Sequence, residues 1–199
     1  MPRPLRICLP DTTNHVVSRC IEKKPLMRSK QIKDLMHDVL NQALERYEFD
    51  LVSYSIMDNH FHFCIKTTKN GETISRIMQF IKSQFARRYN RMMDRTGPFW
   101  NERFTSLVVE LTADPVRTFW NVFLYVEYNP VKSKYVTDPR RYPYGGFRAY
   151  VDRDYVPPVP VTLSEYFLKL GNTYEERVAK LLEYEELYRK RIFPESLFV

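Results

Sequence analysis

The strongest constraint on the fold is the segment FDLVSYSIMDNHFHFCIKT, residues 49–67, in which two strand-like runs are joined at MDN. The runs are rich in β-branched and aromatic residues, and the connection is short enough for a β-hairpin. Side chains alternate between the faces of a strand, so His60 and His62 point to one face while Phe61 and Phe63 point to the other. Two of the four histidines in the chain, side by side on one strand face, suggest a site, although such a pair judged alone is more often solvent-facing or hydrogen-bonded than metal-binding.

Hydrophobic periodicity around this hairpin predicts the remaining elements. They are strands in residues 14–21 and 104–111, and helices in residues 28–48, 71–95 and 114–129. The order strand, helix, strand, strand, helix, strand is that of the ferredoxin-like βαββαβ fold. We therefore expect an α+β protein whose antiparallel sheet carries its helices on one face and leaves the other face free for a site. The helix in 114–129 is an addition to that fold.

The chain is expected to divide into two parts. Residues 1–154 form one domain, because 199 residues with 44% hydrophobic content supply one ordinary core. Residues 155–199 begin with the Pro-rich linker YVPPVPVT and continue as a helical extension of one or two helices. No apolar run approaches the roughly 20 residues of a membrane span, and residues 1–14 lack the apolar middle of a signal peptide. We expect a cytoplasmic protein that contacts no membrane and has reduced cysteines.

The charge of the chain favours a polyanionic partner. The formal net charge is +7, and basic residues are concentrated between residues 76 and 103. Such a helix face is by default merely solvated, but its excess of positive charge is also typical of a surface that contacts DNA phosphates. The candidate DNA-binding residues are Lys82, Arg87, Arg88, Arg91, Arg95 and Arg103.

A metal held by His60 and His62 needs further ligands, and the third helix offers candidates. Tyr125 and Asn129 in LYVEYNPV are four residues apart, so they project from the same helical face. Two neutral imidazoles and an amide oxygen suit Mg²⁺ or Mn²⁺ when phosphate oxygens and water complete the shell. Three alternatives stay open: a half-buried core role for Tyr125, a helix-capping role for Asn129, and Tyr128 as the functional tyrosine.

Four stretches, in order along the chain, carry a resemblance to a known family. They are NHVVSRC, MDNHFHF, GPFWNERFTSLVVE and YVEYNPVKSKYV. Over residues 14–150 the sequence resembles the HUH-class single-tyrosine transposases, which include insertion-sequence transposases and REP-associated tyrosine transposases. The segment YPYGGFRAY departs from the Pro-Trp-Ser-Ser-like sequence expected after the third helix.

The resemblance implies that residues 1–154 are a catalytic domain that cuts and rejoins single-stranded or hairpin DNA. By motif, it implies that His60, His62 and Asn129 bind the divalent metal, Mg²⁺ or Mn²⁺. It also implies that Tyr125 is the nucleophile, which forms a 5′-phosphotyrosine and frees a 3′-hydroxyl. Because the phosphoester is conserved, a second strand can be joined without an energy source. Related transposases can pair as dimers, so a homodimer is one assembly to test.

Two other functions stay open at this point. A catalytically silent ferredoxin-like nucleic-acid-binding protein would keep the fold and the basic face, but it has no need of the histidine pair with its tyrosine and asparagine. A histidine-based phosphoesterase would need a second histidine motif, and His15 and His37 do not form one.

Overall fold

The computed structural model of the protein describes residues 7–193. This part of the chain contains four strands, β1 Thr13–Arg19, β2 Phe49–Ile56, β3 His60–Thr67 and β4 Thr105–Val108. The same part contains six α-helices, α1 Lys30–Arg46, α2 Ile74–Met92, α3 Pro115–Lys132, α4 Arg148–Val151, α5 Glu165–Leu168 and α6 Tyr174–Ile192. Residues 1–6 and 194–199 of the predicted domain and extension lie outside the described residues.

The strands form a single sheet in the order β2-β3-β1-β4, and every neighbouring pair is antiparallel. This order places β3 between the two strands of a split βαβ unit, as in the ferredoxin-like fold. β2 and β3 form the predicted hairpin, closed where the amide of Met57 donates to the carbonyl of His60 at 2.8 Å. In the register of β1 against β3, Arg19 lies opposite His60 and Val17 opposite His62. The predicted α+β fold class is confirmed.

α1 and α2 pack on one face of the sheet, as their apolar periodicity predicts. Phe61 and Phe63 are fully buried in the core cluster that also contains the inward residues of both helices. Their rings stack with centroids 4.0 Å apart. α1 begins at the predicted cap Ser29, whose side chain accepts a hydrogen bond from the amide of Ile32. The phenylalanine face of β3 therefore forms the centre of the main core.

The opposite face of the sheet is not left free, so this part of the expectation was wrong. α3 and α4 cover much of it, and a second core cluster includes Val52 and Cys64 of the sheet, Phe123 of α3 and Tyr150 of α4. Val52 and Cys64 would otherwise expose apolar surface, and covering them with α3 removes that surface from water. The added helix thus packs directly against the strand face that carries the histidine pair.

β4 is shorter than expected. It ends at Val108 and is followed by a 3₁₀ turn at Val109–Leu111. The carboxylate of Glu110 accepts the amide of Thr13 at 2.8 Å, where the next backbone pair of the ladder would form. A side chain therefore replaces the backbone partner and ends the strand.

α3 is longer than expected. It continues through Asn129 and Pro130 to Lys132. Proline removes one amide donor, but the donors that follow are satisfied, because the amide of Ser133 donates to the carbonyl of Asn129 at 3.0 Å. Asn129 therefore lies inside the helix rather than at its end, and the expected capping position shifts to Ser133.

The C-terminal extension packs on the rest of the chain. Val159 of the Pro-rich segment is buried in the main core, and the amide of Thr162 donates to the carbonyl of Leu51 in β2 at 2.9 Å. Two helices follow, which is one of the two predicted alternatives. α6 lies along α3, where the rings of Trp120 and Tyr184 stack with centroids 5.0 Å apart. The domain boundary at residue 154 stays a prediction.

The state of the cysteines and the character of the helices can be compared with the expectations of reduced thiols and of no membrane contact. Cys8, Cys20 and Cys64 are free, and the latter two are buried. Burial raises the pKa of Cys20 to about 12 and also raises that of Cys64, so both thiols stay protonated. Within residues 7–193, no helix combines the length and apolar character needed to cross a membrane.

A buried network joins α6 to α3. Glu185 of α6 is 4% exposed. One of its carboxylate oxygens accepts the hydroxyl of Tyr128 at 2.5 Å, and the other accepts the guanidinium of Arg140 at 2.5 Å. A buried carboxylate is stable only when it is paired in this way, so the three residues act as a unit.

Replacing Glu185 with Ala should lower the free energy of unfolding by about 2 kcal/mol, because the buried hydroxyl of Tyr128 loses its partner and Arg140 keeps only its pair with Asp138. Chemical denaturation followed by circular dichroism measures this loss. The matched control is Glu183→Ala on the same helix, which removes only an exposed pair with Lys180 and should change stability little. Equal stability of the two variants would contradict the role given to the network.

Candidate active site

The structure brings together the four residues predicted from the histidine motif and the third helix. The rings of His60 and His62 lie with centroids 5.0 Å apart, and those of His62 and Tyr125 with centroids 5.3 Å apart. Asn129 lies one turn after Tyr125 on α3, and its amide nitrogen donates to the Tyr125 carbonyl at 3.3 Å. The Asn129 side chain also forms a hydrogen bond with His60, so it reaches the histidine pair. One chain alone assembles the group.

His15 is a member of this cluster that the sequence analysis set aside. Its Nε2 lies 3.0 Å from Nδ1 of His62, and the two rings stack with centroids 5.3 Å apart. The contact follows from the register, since His15 on β1 lies opposite Cys64, two residues along β3 from His62. The ring of His15 also meets the edge of Tyr125, with centroids 6.0 Å apart. His15 and Arg19 are four residues apart in NHVVSR, so the strand pattern places both on one face of β1. Only the pairing of β1 with β3 shows that this is the face that carries His60 and His62.

Burial keeps the three imidazoles neutral. It lowers the pKa of His15 to about 4. Burial also lowers the pKa of His62 well below its usual value, and the charges of His15, His60 and Arg19 act in the same direction. The pKa of His60 is lowered by burial and then by Arg19, while a hydrogen bond with the Asn129 side chain opposes the change. Neutral imidazoles keep the lone pairs that a metal requires.

The chemistry of the donors fits a divalent cation. Nδ1 of His60 lies 2.7 Å from the side-chain oxygen of Asn59, which only accepts, so Nε2 of His60 carries the lone pair. When Nδ1 of His62 donates to His15, Nε2 of His62 is likewise left with a lone pair. In residues 7–193 no three His, Cys, Asp or Glu side chains are grouped to hold a metal ion. A third protein ligand to such a cation would therefore be of another type, and the side chain of Asn129 is a candidate.

The two tyrosines near the end of α3 have different environments. Tyr125 is 39% exposed, whereas Tyr128 is 2% exposed. The hydroxyl of Tyr128 donates to the buried Glu185, and burial with this hydrogen bond raises the pKa of Tyr128. Its proton is therefore hard to remove and its oxygen is occupied. Access to solvent and proximity to His62 both favour Tyr125 as the functional tyrosine.

Two cations adjoin the cluster. Arg19 on β1 lies opposite His60, and its charge acts on both His60 and His62. The ammonium of Lys132 lies over the ring of Tyr125, 5.4 Å from its centroid. Both side chains are suited to contact phosphate oxygens near the tyrosine. Neither was among the basic residues selected from the sequence, because that selection followed local charge density.

The six basic residues selected from the sequence lie on α2 and the loop after it, across the sheet from the histidines. Three of them make structural contacts. Arg88 pairs with Asp38 at 3.2 Å, Arg95 donates to the carbonyl of Pro98 at 2.9 Å, and Lys82 donates to the carbonyl of Glu102 at 2.6 Å. The exposed members are Arg87, Arg91 and Arg103. A DNA-binding role for this set stays a prediction, and the structure does not bring the set into the histidine cluster.

Glu127 fixes α3 against the sheet. Its carboxylate accepts the hydroxyl of Ser53 in β2 at 2.7 Å and the amide of Gly146 at 3.2 Å. Burial raises the pKa of Glu127 to about 8, although both hydrogen bonds oppose the shift. A Cβ at position 146 would lie 3.0 Å from the carboxylate oxygen, so glycine allows this close approach. The segment YPYGGFRAY, which departs from the expected family sequence, thus forms a specific anchor for α3.

Comparison with known proteins places the chain. The family model described as "Transposase IS200 like" matches residues 8–127. The chain belongs to the IS200-like transposase family. A protein of Haemophilus influenzae named as a REP-associated tyrosine transposase is 27% identical over 125 residues, which span 58% of this chain and 69% of that protein.

The fold of this IS200-like transposase agrees with a solved relative. A REP-associated tyrosine transposase bound to a REP hairpin aligns with a TM-score of 0.63 at 17% identity, covering 83% of this chain and 96% of the other. The family match includes His60, His62 and Tyr125 but ends before Asn129 and before α6. The family resemblance is confirmed.

The buried imidazoles predict how the stability of the transposase depends on pH. Because the pKa of His15 falls from 6.5 to about 4 on folding, the unfolded chain binds more protons than the folded chain below pH 6.5. The free energy of unfolding should therefore fall as the pH is lowered from 6.5 towards 4.

Urea denaturation of the metal-free protein measures this dependence. Between pH 7 and pH 5, His15 should account for a loss of about 1–2 kcal/mol, and His15→Gln should flatten the profile by that amount. His37→Gln provides a second test, because burial also lowers the pKa of His37 to about 4. A profile that neither substitution changes would show that these histidines are not held neutral by the fold.

Proposed function

We propose that this transposase cleaves and rejoins single-stranded or hairpin DNA through Tyr125, with a divalent metal held by His60, His62 and Asn129. The observation that carries the proposal is that the exposed ring of Tyr125 lies next to buried neutral imidazoles. The ring centroids of Tyr125 and His62 are 5.3 Å apart. The solved relative is described as bound to a REP hairpin, and this chain has a net charge of +7. Both support a DNA hairpin as the substrate.

The proposed chemistry is a phosphoester exchange. The Tyr125 oxygen attacks a backbone phosphorus, the bond from phosphorus to the 3′ oxygen breaks, and the phenolic proton is transferred to that oxygen by way of solvent. The products are a 5′-phosphotyrosine and a 3′-hydroxyl. Attack by a 3′-hydroxyl on the phosphotyrosine reverses the exchange and joins the strands. The fixed position of Tyr125 on α3 makes the nucleophile available without an entropic cost at each cycle.

Each side chain of the cluster has a defined task in this proposal. His60 and His62 offer their Nε2 lone pairs, and Asn129 offers its amide oxygen, so together they supply three neutral donors to Mg²⁺ or Mn²⁺. The bound metal would polarise a non-bridging phosphate oxygen. Nε2 of His15 accepts a hydrogen bond from Nδ1–H of His62 and so fixes the tautomer of His62. Arg19 and Lys132 bind neighbouring phosphate oxygens and orient the backbone.

A catalytically silent nucleic-acid-binding protein is the alternative function. It would retain the ferredoxin-like sheet and the exposed arginines of α2 without using Tyr125. The alternative has no explanation for three neutral imidazoles buried against one exposed tyrosine, because a binding surface gains little from neutral groups. A covalent adduct between protein and DNA separates the two functions directly.

The proposed homodimer is tested by light scattering, which measures the mass of the protein in solution.

Replacing Tyr125 with Phe should abolish the covalent adduct while leaving hairpin binding within about threefold, because only the hydroxyl is removed. The assay incubates labelled hairpin oligonucleotides with the protein and Mn²⁺ and resolves the adduct on a denaturing gel. Tyr128→Phe is the matched control and should still form the adduct. An adduct in the Tyr125 variant that maps to Tyr128 would reverse the assignment.

Replacing His15 with Ala should weaken Mn²⁺ binding by about tenfold or more, because the ring of His62 loses the group that fixes its tautomer. Isothermal calorimetry on the protein without DNA measures the affinity, and chelation of the metal should stop adduct formation in the unmodified chain. His37→Gln alters a buried imidazole on the other side of the sheet and should leave the affinity unchanged. If both variants bind Mn²⁺ like the unmodified protein, His15 does not position a ligand.

A further inference from the structure

A cavity between α3 and α6 opens beside the candidate nucleophile. It has a volume of about 370 Å³, and its lining includes Tyr125 and Asn121 of α3, His15 of β1, and Tyr188 and Arg191 of α6. α6 lies beyond residues 8–127, to which the family model corresponds. The C-terminal helix of this chain therefore forms one wall of the candidate active site.

Arg191 contributes a cation to the lining of this cavity. Its guanidinium lies over the ring of Tyr188, 5.0 Å from the centroid. Among the described residues, the side chain of Arg191 has no carboxylate partner, in contrast to Arg140, which pairs with Glu185. A guanidinium matches two oxygens of a phosphate with two parallel hydrogen bonds. A group suited to binding phosphate and the side chain of Tyr125 thus line the same cavity.

The cavity continues outwards along the two helices. Asn121, Tyr188 and Arg191 also line a neighbouring cavity of about 560 Å³ that extends to Trp120, Tyr184 and Leu187. The rim carries a second arginine, Arg117, and one acidic residue, Asp114, whose carboxylate accepts the backbone amide of Arg117 at 3.0 Å as the cap of α3. Arginines next to aromatic rings are the chemistry that proteins use to hold single-stranded DNA.

We infer that Arg191 binds the phosphate that Tyr125 attacks, and that the strand extending from this phosphate lies in the groove between α3 and α6. This inference rests on the proposed strand transfer at Tyr125. It adds a substrate-contacting residue from the C-terminal extension to a site otherwise built from the sheet and α3. It also gives an occupant to the two neighbouring cavities that α3 and α6 line together.

The test compares Arg191→Ala and Arg191→Lys with the control Arg189→Ala. Arg189 lies on the same helix but lines a different cavity, together with Lys134 and Tyr135, so its loss removes the same charge from another face. The rate of adduct formation is measured at saturating hairpin DNA with a single-stranded flank. The salt dependence of DNA binding is measured separately in the Tyr125→Phe background, where no cleavage occurs.

Arg191→Ala should slow adduct formation by about 10²-fold, as expected when one donor to the reacting phosphate is lost. It should also reduce the salt slope of binding by about 0.7, which corresponds to one contact with a single-stranded phosphate. Arg191→Lys should recover part of both effects, because it keeps the charge but not the paired hydrogen bonds. Arg189→Ala should leave the adduct rate within about twofold of the unmodified chain.

Three outcomes would overturn the inference. The first is an adduct rate in Arg191→Ala equal to or above that of Arg189→Ala. The second is a lowered melting temperature with no recovery of rate in Arg191→Lys, which would assign Arg191 a structural role. If the unmodified chain forms no adduct, the proposed strand transfer fails, and the salt slope then decides the phosphate contact alone: equal slopes for the two alanine variants overturn it.

Discussion

The alternation of side chains along β3 determines where the other parts of the protein lie. Phe61 and Phe63 are fully buried beneath α1 and α2, while His62 on the opposite face is 3% exposed beneath α3. A slip of one residue in the register would place imidazoles in an apolar core and phenyl rings against Tyr125, and burying polar rings without partners is costly. The hydrophobic core and the candidate site therefore share one register, and neither can change without the other.

The position of α3 follows from a buried polar anchor as well as from apolar packing. Glu127 bonds to Ser53 of β2 and to Gly146, and these contacts restrict the rotation of the helix about its axis. Tyr125 and Asn129 are one turn apart on the same side of α3, so the orientation of the helix that directs one of them at the histidines also directs the other. The anchor makes use of the segment that differs from the expected family sequence.

Local sequence patterns predict the individual strands and helix faces of the site, but not the contacts between distant segments. The period of β3, the hairpin and the shared helical face of Tyr125 and Asn129 depend on neighbouring residues only, so the sequence predicts them. The contact of His15 with His62 depends on how β1 pairs with β3. The early end of β4 depends on the side chain of Glu110 reaching Thr13. Such long-range partners have no local signature, and for the same reason charge density alone missed Arg19 and Lys132.

The buried stripe of α6 explains how a C-terminal extension reaches the site. Leu181, Glu185 and Tyr188 are buried at intervals of four and three residues, which defines one side of the helix. Arg191 follows Tyr188 by three residues and therefore lies beside this stripe, where it lines the cavity that also contains Tyr125. The carboxylate of Glu185 holds the stripe in place through Tyr128 and Arg140. The same network that secures the extension thus also fixes where Arg191 lies relative to Tyr125, so the proposed phosphate contact depends on the packing of α6.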